Sequence, residues 1–255
     1  MQNSNADFKT PLTTPKVIPT NERPEFKWIV LGSSLLSFCA GFVNVVSILS
    51  TFSYTVSHNT GVTSKFAIFL ARLELPSAGF NMSVLVAYVM GSMLVGAFIK
   101  RDTFHYSRVY GFFLLLESAL LMLTCHLYIE NDKLGIVVAS FAMGLQNALF
   151  TNFSGAVVRT THVTGLLTDI GIHFGHLIRK CEKTKEFWRV YVLLPLLTGF
   201  ILGGVVATWC YEIFDLYAFY IPALILGTAG SIWTVWRLVY QKSLSNKEFA
   251  NAYKN

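Results

Sequence analysis

The sequence predicts an all-α membrane protein: a polytopic bundle of six spans, arranged as two inverted three-helix repeats, with two short re-entrant or interfacial helices. Three observations predict it. Charged residues make up only 13% of the chain and hydrophobic residues 53%, where a soluble domain carries about 25% charge. Six runs are long and apolar enough to cross roughly 30 Å of hydrocarbon as helices. A polar pattern also occurs twice, each time after an apolar run. Gly41-Phe-Val-Asn44 is followed by His58-Asn-Thr60-Gly61, and Gly144-Leu-Gln-Asn147 by His162-Val-Thr164-Gly165. Farther on, Gly91 and Gly96 answer Gly199 and Gly204, 108 positions apart.

The elements follow in order. Met1–Lys27 is polar, holds four prolines and lacks the apolar stretch of a signal peptide, so a disordered cytoplasmic tail is expected. The first membrane repeat covers 28–128, with spans at Trp28–Ser50, Phe80–Ile99 and Val109–Tyr128. The second covers 134–240, with spans at Leu134–Phe150, Val190–Tyr211 and Leu216–Trp236. Trp28, Tyr128, Tyr211 and Trp236 sit at span ends, where amphipathic rings favour the interface. Val62–Leu73 and Leu166–Lys180 each follow a Thr-Gly, are shorter and carry charge. Residues 241–255 are expected to form a second cytoplasmic tail.

Charge settles the topology predicted here. If neither short segment crosses, one face receives Lys9, Lys16, Arg23, Lys27, Lys100, Arg101, Arg108, Arg159, the 179–189 cluster, Arg237 and Lys242. The opposite face receives Glu130, Asp132, Lys133, Glu212 and Asp215. This is a positive-inside pattern with both termini cytoplasmic. It explains the net charge of +6 without nucleic acid. Three spans per repeat then invert the second half. The competing reading has eight spans in two parallel halves. The four scattered cysteines form no C-x-x-C pair and suggest neither disulfides nor a zinc ribbon.

Gly144-Leu-Gln-Asn-Ala148, followed by Ala156-Val-Val-Arg-Thr-Thr-His-Val-Thr-Gly-Leu-Leu-Thr-Asp-Ile-Gly171, resembles the YoaK-type family of bacterial integral membrane proteins. Gly41-Phe-Val-Asn44 and Asn59-Thr-Gly61 agree with it; the family often carries Asp at the position of Asn44 and Asn at that of Val62. The resemblance covers the membrane region. It implies a polytopic inner-membrane protein and assigns no substrate.

Several residues are candidates for chemistry. Helices starting at Thr60 and Thr164 would be capped by the hydroxyls and offer free N–H groups to an anion, with Gly61 and Gly165 easing the turns. Asn44, Gln146 and Asn147 lie one helix earlier and would line the same space, or simply hydrogen-bond between helices. These five polar residues, both glycines, His58 and His162 are the predicted substrate site. Asp169, His173 and His176 share one face of the second short helix. A metal there would lack ligands from the first repeat, so a solvated polar face is preferred. Asp169 is instead expected to pair with Lys65 or Arg159. Glu117 is the one acid well inside a predicted span, where an unpaired charge costs several kcal/mol and marks an ion or proton pathway. Glu117, Asp169 and Arg159 are therefore the ion-coupling candidates.

Enzyme signatures are absent: no H-E-x-x-H, G-x-S-x-G, P-loop or G-x-G-x-x-G occurs. The predicted protein is a transporter or channel for a small anionic or zwitterionic solute. Its expected partners are the lipid bilayer and that solute or an ion, with no cofactor, no nucleic acid and a homo-oligomer left open. The competing class is a non-transporting scaffold or sensor.

Overall fold

In hydrocarbon, a backbone segment must satisfy its own N–H and C=O groups, and an apolar run does so as a helix. The computed structural model describes residues 24–99, 109–153, 161–178 and 190–252, and they are helical with short connections and no strand. The helices are α1 Pro24–Leu49, α2 Asn59–Ala71, α3 Leu75–Phe98, α4 Val109–Ile129, α5 Leu134–Phe153, α6 Val163–Ile178, α7 Val190–Phe214 and α8 Tyr220–Ala252. A 3-10 turn, Asp215–Phe219, separates the last two. Five stretches among the described residues are long and apolar enough to cross a bilayer: Val30–Leu49, Leu75–Phe98, Val109–Ile129, Leu134–Asn152 and Val190–Val239. This is a multi-pass membrane protein.

Some boundaries differ from expectation for local reasons. Helix α3 begins five residues before Phe80 because Pro76 sits in its first turn, where no N–H is needed. The expected span at Leu216 opens instead as the 3-10 turn, entered through Asp215 in a left-handed conformation (φ 52°). Helix α8 runs on through the expected C-terminal tail to Ala252, a stretch without Gly or Pro to stop it. Residues 1–23 of the expected N-terminal tail, the 179–189 cluster, Lys100, Arg101, Arg108 and Arg159 lie outside the described residues, whereas 24–27 of that tail open α1.

Packing exchanges partners between the halves: α1 lies on α7, and α3 on α5, while α4 packs on both α5 and α8. The two exchanged pairs make the same contacts. A Cβ on Gly41 would overlap the Phe200 carbonyl oxygen, and one on Gly144 would overlap that of Tyr88. Gly203 abuts the Phe38 carbonyl just as Gly91 abuts that of Phe141. Ser37 Oγ donates to the Leu196 carbonyl at 2.8 Å, and Ser140 Oγ to that of Val84 at 3.0 Å. Without side chains at these crossings, the backbones come close enough for dispersion contacts to hold helices together where lipid is as apolar as they are.

These contacts relate α1 to α5 by 103 positions and α3 to α7 by 112. Gly91 therefore corresponds in space to Gly203, not to Gly199. The sequence match at 108 is one helical turn out of register, which keeps a residue on nearly the same face. In the α4–α8 pair, Ser118 Oγ donates to the Ala223 carbonyl at 2.6 Å, and Gly230 sits over the Gly111 carbonyl. Both fit the same spacing of 112, which matches Glu117 with Ala229 rather than Ile225.

The two ends of the bundle differ. At one, the Tyr128 hydroxyl and Ser47 Oγ are 2.5 Å apart, and the Tyr128 ring meets Phe219 and Phe52 at 5.2 and 5.4 Å. At the other, where α1 and α4 begin and α5 ends, a cavity of about 190 Å³ opens among Gly32, Ser33, Leu36, Leu114, Leu149 and Trp233.

Candidate functional site

The first motif is held by α1. Asn44, 4% exposed, turns its Oδ1 toward the returning chain and accepts from Val56 N at 3.2 Å, Ser57 N at 3.3 Å and Ser57 Oγ at 3.1 Å. An amide oxygen thus takes over for backbone groups that no helix satisfies. Ser57 Oγ also lies 3.1 Å from His58 Nδ1. His58 is fixed on its far side by Phe200 of α7, whose ring stands edge-on at 5.6 Å. Phe200 is also the residue whose carbonyl Gly41 abuts. The loop after α1 therefore turns back into the bundle beside the middle of α7.

Helix α2 starts at Asn59, with His58 as N-cap and no side-chain cap hydrogen bond. Thr60 is its second residue, so its hydroxyl sits too far along to cap, contrary to the sequence expectation. Thr164 holds the same place in α6, which starts at Val163. Both threonines are exposed. Gly61 and Gly165 differ: Gly61 has open space where a Cβ would lie, whereas a Cβ on Gly165 would overlap the His162 ring.

The second motif reaches the first. His162 is near enough for its charge to act on His58. Burial, and then that neighbouring charge, hold the His58 imidazole below its ordinary range. The two histidines of the duplicated motif thus lie within electrostatic range of each other, although 104 residues separate them.

Helix α5 carries two amides that bond to neighbouring helices. Gln146, fully buried, donates from Nε2 to the Leu36 carbonyl of α1 at 2.6 Å. Asn147 donates from Nδ2 to the Tyr88 hydroxyl of α3 at 2.7 Å. Each does serve as a link between helices, yet Gln146 Oε1 and Asn147 Oδ1 remain buried with no hydrogen-bond partner. So does Asn59 Oδ1 beside His58. Unfilled buried acceptors cost about 1–3 kcal/mol each, and a ligand donor would relieve that cost.

The ion-coupling candidates do not converge. Glu117 is fully buried on α4, with neither carboxylate oxygen hydrogen-bonded, and the Cys39 thiol of α1 lies within its electrostatic reach. Asp169 is exposed on α6. The pairing expected between Asp169 and Lys65 is not formed: Lys65 Nζ sits 4.2 Å over the Tyr54 ring, and the ion pair seen among the described residues is His126–Glu130. Arg159 lies outside the described residues. His173 and His176 stand 6.4 Å apart, and no three metal-ligating side chains gather among the described residues.

Three residues at the site escaped the sequence reading: Ser57, Tyr88 and Phe200. One signal was available. A hydroxyl residue precedes each motif histidine, Ser57 before His58 and Thr161 before His162, and both are buried. Tyr88 and Phe200 match only at the spacing of 112, which the glycines alone did not reveal.

Residues 32–232 match the family described as a protein of unknown function, DUF1275. No curated protein and no solved structure matches the chain.

Proposed function

Because the chain belongs to the DUF1275 family, to which the YoaK-type resemblance pointed and whose function is not established, we propose its activity from geometry alone. It is a secondary transporter or channel for a small anionic or zwitterionic solute, bound between the two His-x-Thr-Gly motifs. The observation that carries this is that His162 lies within electrostatic range of the half-buried His58.

The support is architectural. Exchanged helix pairs with equivalent contacts are what an inverted repeat produces, and such repeats place broken helices and their polar ends at a central site. On this reading Val190–Val239 is two spans divided at the 3-10 turn, giving six in all. On the same reading the positive-inside charges favour a cytoplasmic side for both termini, and the family resemblance suggests the inner membrane. Solute groups would engage the N–H ends of α2 and α6 and the unfilled oxygens of Asn59, Gln146 and Asn147. The preference for an anion or zwitterion rests on those helix ends.

A membrane scaffold is the second reading, favoured by the interhelical bonds of Gln146 and Asn147. Thiol labelling separates the two. In a cysteine-free chain, Thr60→Cys should react with an impermeant reagent from outside and Thr164→Cys from inside. Labelling of both from one side would support parallel halves. Labelling of neither would leave the motifs sealed and favour the scaffold.

A further inference from the structure

We propose that Glu117 is a proton-binding site, sealed in this conformation and lying one helical turn beyond the cavity, the end from which water gains access when the bundle moves. The proposal deepens the carrier reading, on which it rests for its purpose: the proton would be the coupled ion.

The carboxyl stands in a place where ionisation has no support. It is 0% exposed, and neither oxygen has a hydrogen-bond partner. Cys39 is the titratable side chain that α1 turns toward it. Helix α5 has no titratable residue from Leu134 to Asn152, and α8 has none between Tyr220 and Arg237. Asp215 and Tyr217, on the 3-10 turn packed against α4, are both exposed. On α4 itself the titratable neighbours are Tyr110, Cys125, His126 and Tyr128. That set holds no Lys or Arg, and its histidine, His126, is exposed beside Glu130, so a carboxylate at Glu117 would bear the full desolvation cost, and uptake of a proton removes it.

The route follows from register. Leu36 on α1 and Leu114 on α4 line the cavity, and Cys39 and Glu117 each lie three residues deeper, about one helical turn. The cavity, about 190 Å³, has the volume of several waters, but its walls are almost wholly apolar and it stops one turn short of Glu117. Beyond Glu117 the bundle is shut by Ser47, Tyr128 and Phe219. In the exchanged half, the positions matching Glu117 and Ser47 are Ala229 and Phe150, and both line the cavity. The two ends are related by the repeat but are not in the same state. Among the described residues, one end holds the cavity and the other is filled by Tyr128 and its neighbours.

The test uses the full chain in liposomes and needs no solute. Infrared difference spectra on stepping the pH upward should show loss of a protonated-carboxyl band. That band should be missing in Glu117→Gln, displaced in Glu117→Asp and shifted on exchange into D2O. Glu117→Gln mimics the neutral acid and should express at wild-type level. If it does and the band is unchanged, the site is refuted, as it also is by a band that ignores D2O. Ala229→Cys should label from one side only and Ser47→Cys from neither; labelling of Ser47→Cys overturns the one-sided access. A missing band leaves the carrier reading intact, whereas failure of both Thr60→Cys and Thr164→Cys to label would undo that reading without touching the band.

Discussion

The α1–α7 and α3–α5 pairs are near copies, whereas α4 and α8 carry different chemistry at matched places. In the first two, glycines meet carbonyls and a serine bonds across the crossing at equivalent positions. In the third, Glu117 faces the protein interior where its counterpart is Ala229, and Ser118 stands where its counterpart is Gly230. The crossings match and the ionisable group does not recur: among the described residues Glu117 is the buried acid, and a second at Ala229 would add the repulsion of two carboxylates.

The crossings offer the hardest test of that symmetry. Gly41→Ala and Gly144→Ala each force a methyl into a backbone carbonyl, and overpacking of this kind costs about 1–3 kcal/mol. The two losses, measured by unfolding in bilayer-like conditions, should agree. If one variant keeps wild-type stability, the crossings are not equivalent.

The motif amides should separate the halves. Asn44→Ala leaves Val56 N and Ser57 N buried without an acceptor, a loss of about 1–3 kcal/mol. Asn147→Ala removes one interhelical bond, worth about 0.6 kcal/mol in membranes. Equal losses would mean that Asn44 does not hold the first loop as described.

Acid offers a milder perturbation. The imidazole of His58 is held below its ordinary range by burial and by His162, so the unfolded chain takes up this proton first. Its contribution is present above the ordinary imidazole range, about pH 6.5, and is lost as pH falls below it toward the depressed value. Thermal stability should drop on acidification, and His58→Gln should flatten that drop. An unchanged profile would show that His58 is not held below its ordinary range. Gly96→Ala, with nothing within 4 Å of the added methyl, should change stability by less than about 0.5 kcal/mol.

Much of this was legible in the chain. Apolar runs located the long helices, because hydrocarbon admits few other folds for them, and the repeated His-x-Thr-Gly marked two histidines that lie within electrostatic range of each other. The helix starts were misplaced by a few residues, since a cap depends on where the chain turns. Thr60 and Thr164 fell inside the helices for that reason. The pairing of Asp169 with Lys65 was proposed from register, which fixes position along a helix but not the direction a long side chain takes; Lys65 lies over Tyr54 instead.

By itself, then, the sequence determined that the protein is helical, enters a membrane several times and carries a duplicated polar motif. These follow from local composition, which acts on each segment separately. Tertiary structure alone decided that the halves exchange helices, that the register is 112 and not 108, and that Gln146, Asn147 and Glu117 keep unfilled polar atoms. A four-residue shift leaves a helix face almost unchanged, so glycine spacing cannot choose between registers. Close contact between backbones can.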